Sequence, residues 1–280
     1  MSEMRFVPAA SEIAREAGSI LLNHLGRVAI EYKGTADLVT AADRASEAFI
    51  VGRLRQLLPT HSIVAEEGGG SEAASGYRWY VDPLDGTTNF AHRIPFFAVS
   101  LGLEFEGRMI AGVVYNPVLN ELFAAEEGHG ATLNGQPIQV SKTAALAESL
   151  VGTGFPVHDR RANPNIHFYH TLTLGSHGVR RLGAAALDLC YTACGRFEGF
   201  WEFNLKPWDT AAGSYIVQQA GGTVTDMLGQ PHSVRSPEVL ATNGRVHQEI
   251  LTLFGEIFAG KTSELPSAPA YLEARGGQAR

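Results

Sequence analysis

The chain has 280 residues, 45% of them hydrophobic, and 22 Lys and Arg against 29 Asp and Glu give a formal charge of -7. That length can build one large or two modest layered units with a real core, and the acidic balance argues against an electrostatic nucleic-acid surface while favouring cations, a local basic patch staying open. Only Cys190 and Cys194 occur, which excludes a disulfide framework and suits plain core cysteines in a reducing, cytoplasmic setting. The first twenty residues lack the apolar run of a secretory leader, and no stretch reaches membrane-spanning length.

In chain order, Ile13, Ala17, Ile20, Leu21 and Leu25 recur at helical spacing, which predicts an amphipathic helix over 9–25. Tyr32 to Val39 reads as a polar, glycine-containing loop. Thr40 with Asp43 three residues on has the form of a capping box, so a second helix is expected over 41–57, ended by Pro59. His61 to Ala65 is β-like and runs into Glu66-Glu67 and three glycines. Trp79, Tyr80 and Val81 predict a buried strand that Pro83 stops, leaving Asp82 and Asp85 at its end. From Phe96 to Val140 short β-rich runs alternate with Glu106-Gly107, Asn116-Pro117, Gly128 and Asn134-Gly135, the pattern of an antiparallel meander. A strand near 149–153, helices near 161–174 and over 184–194, a strand near 198–202, a helix from Trp208 to Ala220 and a last helix before Gly260 suggest a second α/β unit. The expected organisation is thus 1–145, 146–260 and a mobile tail over 261–280.

The chemistry concentrates in three acidic segments. Past Gly86 the chain can turn sharply, so the amides of Gly86, Thr87 and Thr88 can point together as they do at anion-binding helix starts. If Glu66, Asp82, Asp85 and Asp209 converge, like charges about 4 Å apart repel by roughly 1 to 4 kcal/mol per pair, and divalent cations would relieve this. All-oxygen ligands select hard ions, with Mg²⁺ the usual choice and Mn²⁺ possible, whereas zinc would want His or Cys. Each motif alone also has a plain reading: a turn for Asp82 to Gly86, a solvated loop for Glu66-Glu67, a helix cap for Asp209. His167 and His170 read as non-ligands. Asp188 reads as a helix-surface or interface charge without an assigned role.

Trp79 to His92, Ala65 to Gly68, Asp37 to Thr40 with Asp43, and Trp208 to Gly213 through Gly222 together resemble the inositol monophosphatase family. Arg181 to Asp188, Gly195-Arg196 and Trp201-Glu202 are similar to its bacterial branch, and the resemblance spans about residues 9–258. It implies an αβαβα sandwich with an N-terminal antiparallel and a C-terminal mixed sheet, acting as a homodimer in Mg²⁺-dependent, Li⁺-sensitive hydrolysis of phosphate monoesters. By this resemblance Glu66, Asp82 and the carbonyl of Leu84 hold one Mg²⁺, and Asp82, Asp85 and Asp209 a second. Asp43 and Thr87 orient the nucleophilic water, helped by Glu67 or by a third ion. Amides of Gly86, Thr87 and Thr88 grip the phosphate, Lys33 lies in the loop that closes over the metals, and Gly183, Ala184, Ala185 and Glu202 meet the substrate ring.

The reaction expected is hydrolysis of inositol 1-phosphate, the acids fixing phosphoryl chemistry more firmly than residues 153–205 fix the alcohol. Fructose 1,6-bisphosphate, histidinol phosphate or a nucleotide 3′-phosphate are the alternative substrates. A non-catalytic protein-binding scaffold is the alternative of a different class. An aspartyl-phosphate enzyme is disfavoured, because its two acids stand on alternate residues whereas Asp82 and Asp85 are three apart.

Overall fold

The computed structural model describes residues 5–27, 30–32, 38–156 and 163–262. Helix α1 (Val7–His24) buries Ala10, Ile13, Ala14, Ala17 and Leu21, the stripe expected from its periodicity. Glu126 accepts the backbone N–H groups of Phe6 and Val7 at its start, supplying the cap that its own sequence lacks. The polar segment after it is not wholly loop: β1 (Ile30–Tyr32) and β2 (Leu38–Thr40) pair antiparallel. Helix α2 (Ala41–Leu57) then begins at the capping box read from Thr40 and Asp43.

Seven strands form the first sheet: β3 (Ser62–Ala65), β4 (Tyr77–Asp85), β5 (Ala98–Phe105), β6 (Arg108–Asn116), β7 (Glu121–Glu126), β8 (Gly130–Leu133) and β9 (Gln136–Pro137), in that spatial order. The meander is antiparallel as expected, but β3 and β4 pair parallel, so this sheet is mixed. Strand β4 also runs on through Pro83, contrary to the expected stop. Asp82 pairs with Ser100 and Asp85 with Ala98, so Pro83 and Leu84 together oppose Val99 alone. A bulge absorbs the extra residue, and Pro83 sits within it, where a missing N–H breaks no ladder bond. A five-residue helix, α3 (Thr87–Ala91), follows at once.

The second sheet has the order β11-β10-β12-β14-β13, with β10 (Leu150–Thr153), β11 (Gly178–Arg180), β12 (Gly199–Phe203), β13 (Thr223–Thr225) and β14 (Glu238–Thr242). It is mixed, as expected, although β11 was not legible in advance. Its helices are α4 (Asn165–Gly175), α5 (Ala185–Ala193), α6 (Pro207–Gln219) and α7 (His247–Phe258).

Three large apolar clusters bind five layers together, with a small fourth one at Tyr80, Ala211 and Val234. The first joins α1 and α2 to one face of the seven-stranded sheet. The second joins α5 and α6 to the other face of that sheet and to the second sheet. The third joins α4 and α7 to the outer face of the second sheet. The result is the αβαβα sandwich. Gly102 and Gly112 face one another across β5 and β6, and a Cβ on them would come within 2.7 Å of the Ala211 Cβ and 2.8 Å of the Ala212 carbonyl oxygen. These two bare positions let α6 lie directly on the first sheet.

Candidate active site

Ser100 and Ala98 are two apart on β5 and share a face, so the bulge puts their partners Asp82 and Asp85 on one face as well. In a regular strand, residues three apart would point to opposite sides. The face is the one covered by α5 and α6: Asp85 Oδ2 accepts the Ala186 N–H at 2.8 Å, and Ala98 belongs to the core beneath those helices. The parallel ladder brings in the next acid, since the N–H of Glu66 donates to the Val81 carbonyl at 3.2 Å, one residue before Asp82. Asp209 arrives from the second half. It is the third residue of α6 rather than its cap, and its Oδ2 accepts the Lys206 N–H at 2.7 Å.

The acids share one electrostatic field. Burial pushes the Asp82 carboxyl well above the usual range, and the charges of Glu66, Asp85 and Asp209 push it further, against the Leu84 N–H that donates to its Oδ1 at 2.9 Å. Asp85 is raised to about 7 by burial, opposed by the Ala186 N–H and reinforced by Glu66. Asp209 is raised to about 7 by burial, opposed by the Lys206 N–H and reinforced by Asp85. A backbone N–H fixes one oxygen of each of these three carboxylates.

This donor set fits hard dications. It is all oxygen, buried and of one sign, and a 2+ charge would relieve the mutual repulsion. As they stand, no three His, Cys, Asp or Glu side chains among the described residues converge tightly enough to chelate an ion.

Asp43 and Thr87 meet next to these acids. Asp43, only 1% exposed, receives the Thr40 N–H and hydroxyl on Oδ2 at 2.8 and 2.6 Å. Its Oδ1 stands 3.3 Å from the Thr87 hydroxyl, which is also 3.1 Å from the Leu84 carbonyl. Burial raises the Asp43 carboxyl, the Thr40 hydrogen bonds pull it back, and Glu67 raises it again.

Glu47, one turn beyond Asp43 on α2, went unremarked in the sequence and holds the acidic loop. Its Oε2 accepts the Glu67 N–H at 2.6 Å and its Oε1 the Gly69 N–H at 2.8 Å. Their spacing of four residues on one helix face was the available signal.

Gly86 adopts a left-handed φ of 87°, and a Cβ there would meet the Phe96 carbonyl at 3.0 Å and the Ala184 Cβ at 3.2 Å. Only glycine turns here at no steric cost while allowing Gly183 and Ala184 so near. Asn89 fastens the same junction, donating to the carbonyls of Phe96 at 2.7 Å and Leu182 at 2.8 Å. Thr88 is exposed beside Gly86 and Thr87. The Ala186 N–H goes to Asp85, so the start of α5, next to Ala184 and Ala185, serves the acid cluster.

Glu202 reaches the same field from β12. It is raised to about 8 by burial and then by Asp209 and Asp85, while Arg181 opposes. Asp188 is not a surface charge: it is 1% exposed, and neither carboxyl oxygen has a hydrogen-bond partner among the described residues. Burial raises it strongly, with Glu202 and Asp85 adding to the effect. Helical spacing could not reveal this, because all of α5 from Ala185 to Cys190 is buried, the layer being covered on both sides. Lys33 lies outside the described residues.

The inositol monophosphatase family profile matches residues 3–258. A Synechocystis sp. inositol-1-monophosphatase is 46% identical over 86% of this chain and 85% of its own length. The Nus factor SuhB of Pseudomonas aeruginosa is 42% identical over 87% of this chain and 93% of its own. Among solved structures, the extragenic suppressor protein suhB of Bartonella henselae superposes with a TM-score of 0.85 at 39% identity, covering 89% of this chain and 97% of that one. Thermotoga maritima IMPase gives 0.84 at 37%, covering 91% and 98%. Agreement over nearly the whole of both chains, in sequence as in layer order, places this chain in the inositol monophosphatase family.

Proposed function

We propose that the protein hydrolyses inositol 1-phosphate to inositol and phosphate, the activity in the Synechocystis relative's name, and that it does so with Mg²⁺ and as a homodimer. The observation that carries the reading is the joining of Glu66, Asp82, Asp85 and Asp209 in one field beside the Asp43–Thr87–Leu84 contacts. Glu66, Asp82, the Leu84 carbonyl, Asp85 and Asp209 would hold two Mg²⁺ with Asp82 shared, Glu67 being the candidate for a third. Bound there, the ions supply Lewis-acid stabilisation to the phosphoryl oxygens and the leaving oxygen. The Thr87 hydroxyl, donating to Asp43, keeps a lone pair for an approaching water, and Asp43 lies one hydrogen bond beyond to receive the proton. Amides of Gly86, Thr87 and Thr88 orient the phosphate. Glu202 and the Gly183–Ala185 backbone face the ring hydroxyls.

Phosphate release measured with inositol 1-phosphate, fructose 1,6-bisphosphate, histidinol phosphate and adenosine 3′,5′-bisphosphate, each with Mg²⁺ and with or without Li⁺, tests this reading. Inositol 1-phosphate should be hydrolysed fastest, only with Mg²⁺, and be inhibited by Li⁺. Preference for another ester would replace the substrate, and no release from any would overturn the reading. The Pseudomonas aeruginosa relative's name favours a second reading, a Nus-factor role. Complementation of a strain lacking its own SuhB by a turnover-deficient Asp85→Asn variant would support that role.

A further inference from the structure

The end of β10 lies beside Glu202. Strand β10 runs parallel to β12 with Thr153 opposite Trp201, so the next residues, Gly154 and Glu202, follow side by side on the other face. That face is turned to the acids, whereas Trp201 belongs to the outer core with α4 and α7. Glu202 uses the bare position: a Cβ built on Gly154 would fall onto its carboxyl carbon and both carboxyl oxygens. Gly154 has no left-handed φ, so its missing side chain serves space and not backbone conformation.

This bare position is fastened from behind. Asn165, the first residue of α4, and Thr153 are both fully buried. The Asn165 Nδ2 donates to the Gly154 carbonyl at 2.7 Å and to the Thr153 hydroxyl at 3.0 Å, and its Oδ1 accepts the Trp201 indole N–H at 2.6 Å. The Thr153 hydroxyl donates in turn to the Trp201 carbonyl at 2.8 Å, one peptide before Glu202. These bonds fix the backbone at 154 and 201 together, and a buried polar network with its partners met specifies one arrangement. The Glu202 carboxyl is held differently. Among the described residues it receives no hydrogen bond, and burial with the charges of Asp209, Asp85 and Arg181 is what acts on it. Glu202 is partly exposed, and its carboxyl oxygens keep accessible surface. Contact with residue 154 therefore sets the direction of a carboxyl whose hydrogen-bonding capacity is unused.

We propose that Gly154, held by Asn165, is a specificity-determining position. By carrying no side chain it lets the Glu202 carboxyl lie against β10, where it accepts hydroxyls of a ring-shaped alcohol, and so favours cyclitol or sugar phosphates over esters whose alcohol has no hydroxyl. The proposal rests on the phosphatase reading above.

Steady-state kinetics of the full chain test it, with p-nitrophenyl phosphate and with inositol 1-phosphate or whichever ester of the panel above replaces it. The proteins are wild type, Gly154→Ala, Glu202→Gln and the double variant, with thermal melts to check folding. The new Cβ meets the flexible end of Glu202 first, so Gly154→Ala should fold and push the carboxyl aside. The ratio of kcat/KM for the ring ester to that for p-nitrophenyl phosphate should then fall about tenfold, through KM, as the loss of one hydrogen bond to the substrate would. Glu202→Gln should lower the ratio about as far and the double variant no further, because both changes remove the same contact. An unchanged ratio in Gly154→Ala, or a double-variant loss equal to the product of the single losses, overturns the proposal and leaves the phosphatase reading standing. If Gly154→Ala does not fold, Gly154→Ala combined with Glu202→Ala decides: it should melt with Glu202→Ala alone, and failure to do so overturns the proposal. Release from no ester by wild type would overturn the phosphatase reading and this proposal with it.

Discussion

Helix α6 serves two buried polar regions of opposite character. Asp209 in its first turn joins carboxylates of a single sign. Ser214 and Tyr215, about 8 Å further along at 1.5 Å per residue, carry hydroxyls that, like the ring nitrogens of His232, have no partner among the described residues. In the acid region a backbone N–H steadies an oxygen on each of Asp82, Asp85 and Asp209, so charge is what remains unbalanced. Around Ser214, Tyr215 and His232 the charges of Arg108 and Arg235 are balanced by Glu127 and Glu104, and what remains is uncharged hydrogen-bonding capacity. One region calls for cations, whereas the other buries neutral groups beside balanced charges.

The sharpest way to break this contrast is Asp85→Asn, which keeps the shape and removes one charge from the centre of the field. Phosphate release at saturating Mg²⁺ should fall by about 10³-fold or more. Without Mg²⁺ the melting temperature should rise, since a buried like charge has gone. Near-normal turnover would refute the metal assignment.

Thr87→Val tests the adjoining neutral link. It preserves the β-branched volume but removes the hydroxyl between Asp43 and the Leu84 carbonyl. The expected loss is about 10²-fold in kcat with little change in KM. An unchanged kcat would remove Thr87 from the water-orienting role.

Much of this arrangement was legible because it is local. The Thr40–Asp43 box, the amphipathic stripe of α1 and the Gly86 turn each carry their signal within a few residues. The bulge was not, because its register exists only against Ser100 and Ala98, and read alone Pro83 says stop. The parallel β3–β4 pair is likewise invisible in either strand. Asp188 was hidden for a different reason: a helix covered on both sides has no polar face to betray which of its charges is inside.

The two regions should also answer pH in opposite directions in EDTA. Asp85 and Asp209 at about 7 and Glu202 at about 8 lie above ordinary carboxylates. The folded state therefore holds extra protons, and their stabilising contribution, complete below about pH 4, is lost as pH rises through 7 to 8. His232 lies below an ordinary imidazole, at about 4. Its contribution is present above pH 6.5 and lost as pH falls, by about 2 kcal/mol after allowing for partial exposure. Urea unfolding at pH 5 and 8 should show Mg²⁺ flattening the first trend and His232→Gln the second. If Mg²⁺ leaves the alkaline loss unchanged, the acids are not its site.

The smallest effect separates ester recognition from phosphoryl chemistry. Glu202 reaches the field from the second sheet and has no place in the Asp43–Thr87–Leu84 contacts, so its carboxylate should matter to the alcohol rather than to the phosphate. Glu202→Gln should raise KM for inositol 1-phosphate about tenfold, as the loss of one charge-assisted hydrogen bond to a ring hydroxyl would. Hydrolysis of p-nitrophenyl phosphate, which offers no such hydroxyl, should stay within about twofold of wild type. Equal losses on both esters would instead make Glu202 part of the acid field that the phosphoryl group meets, and would shift ring recognition to the Gly183–Ala185 backbone.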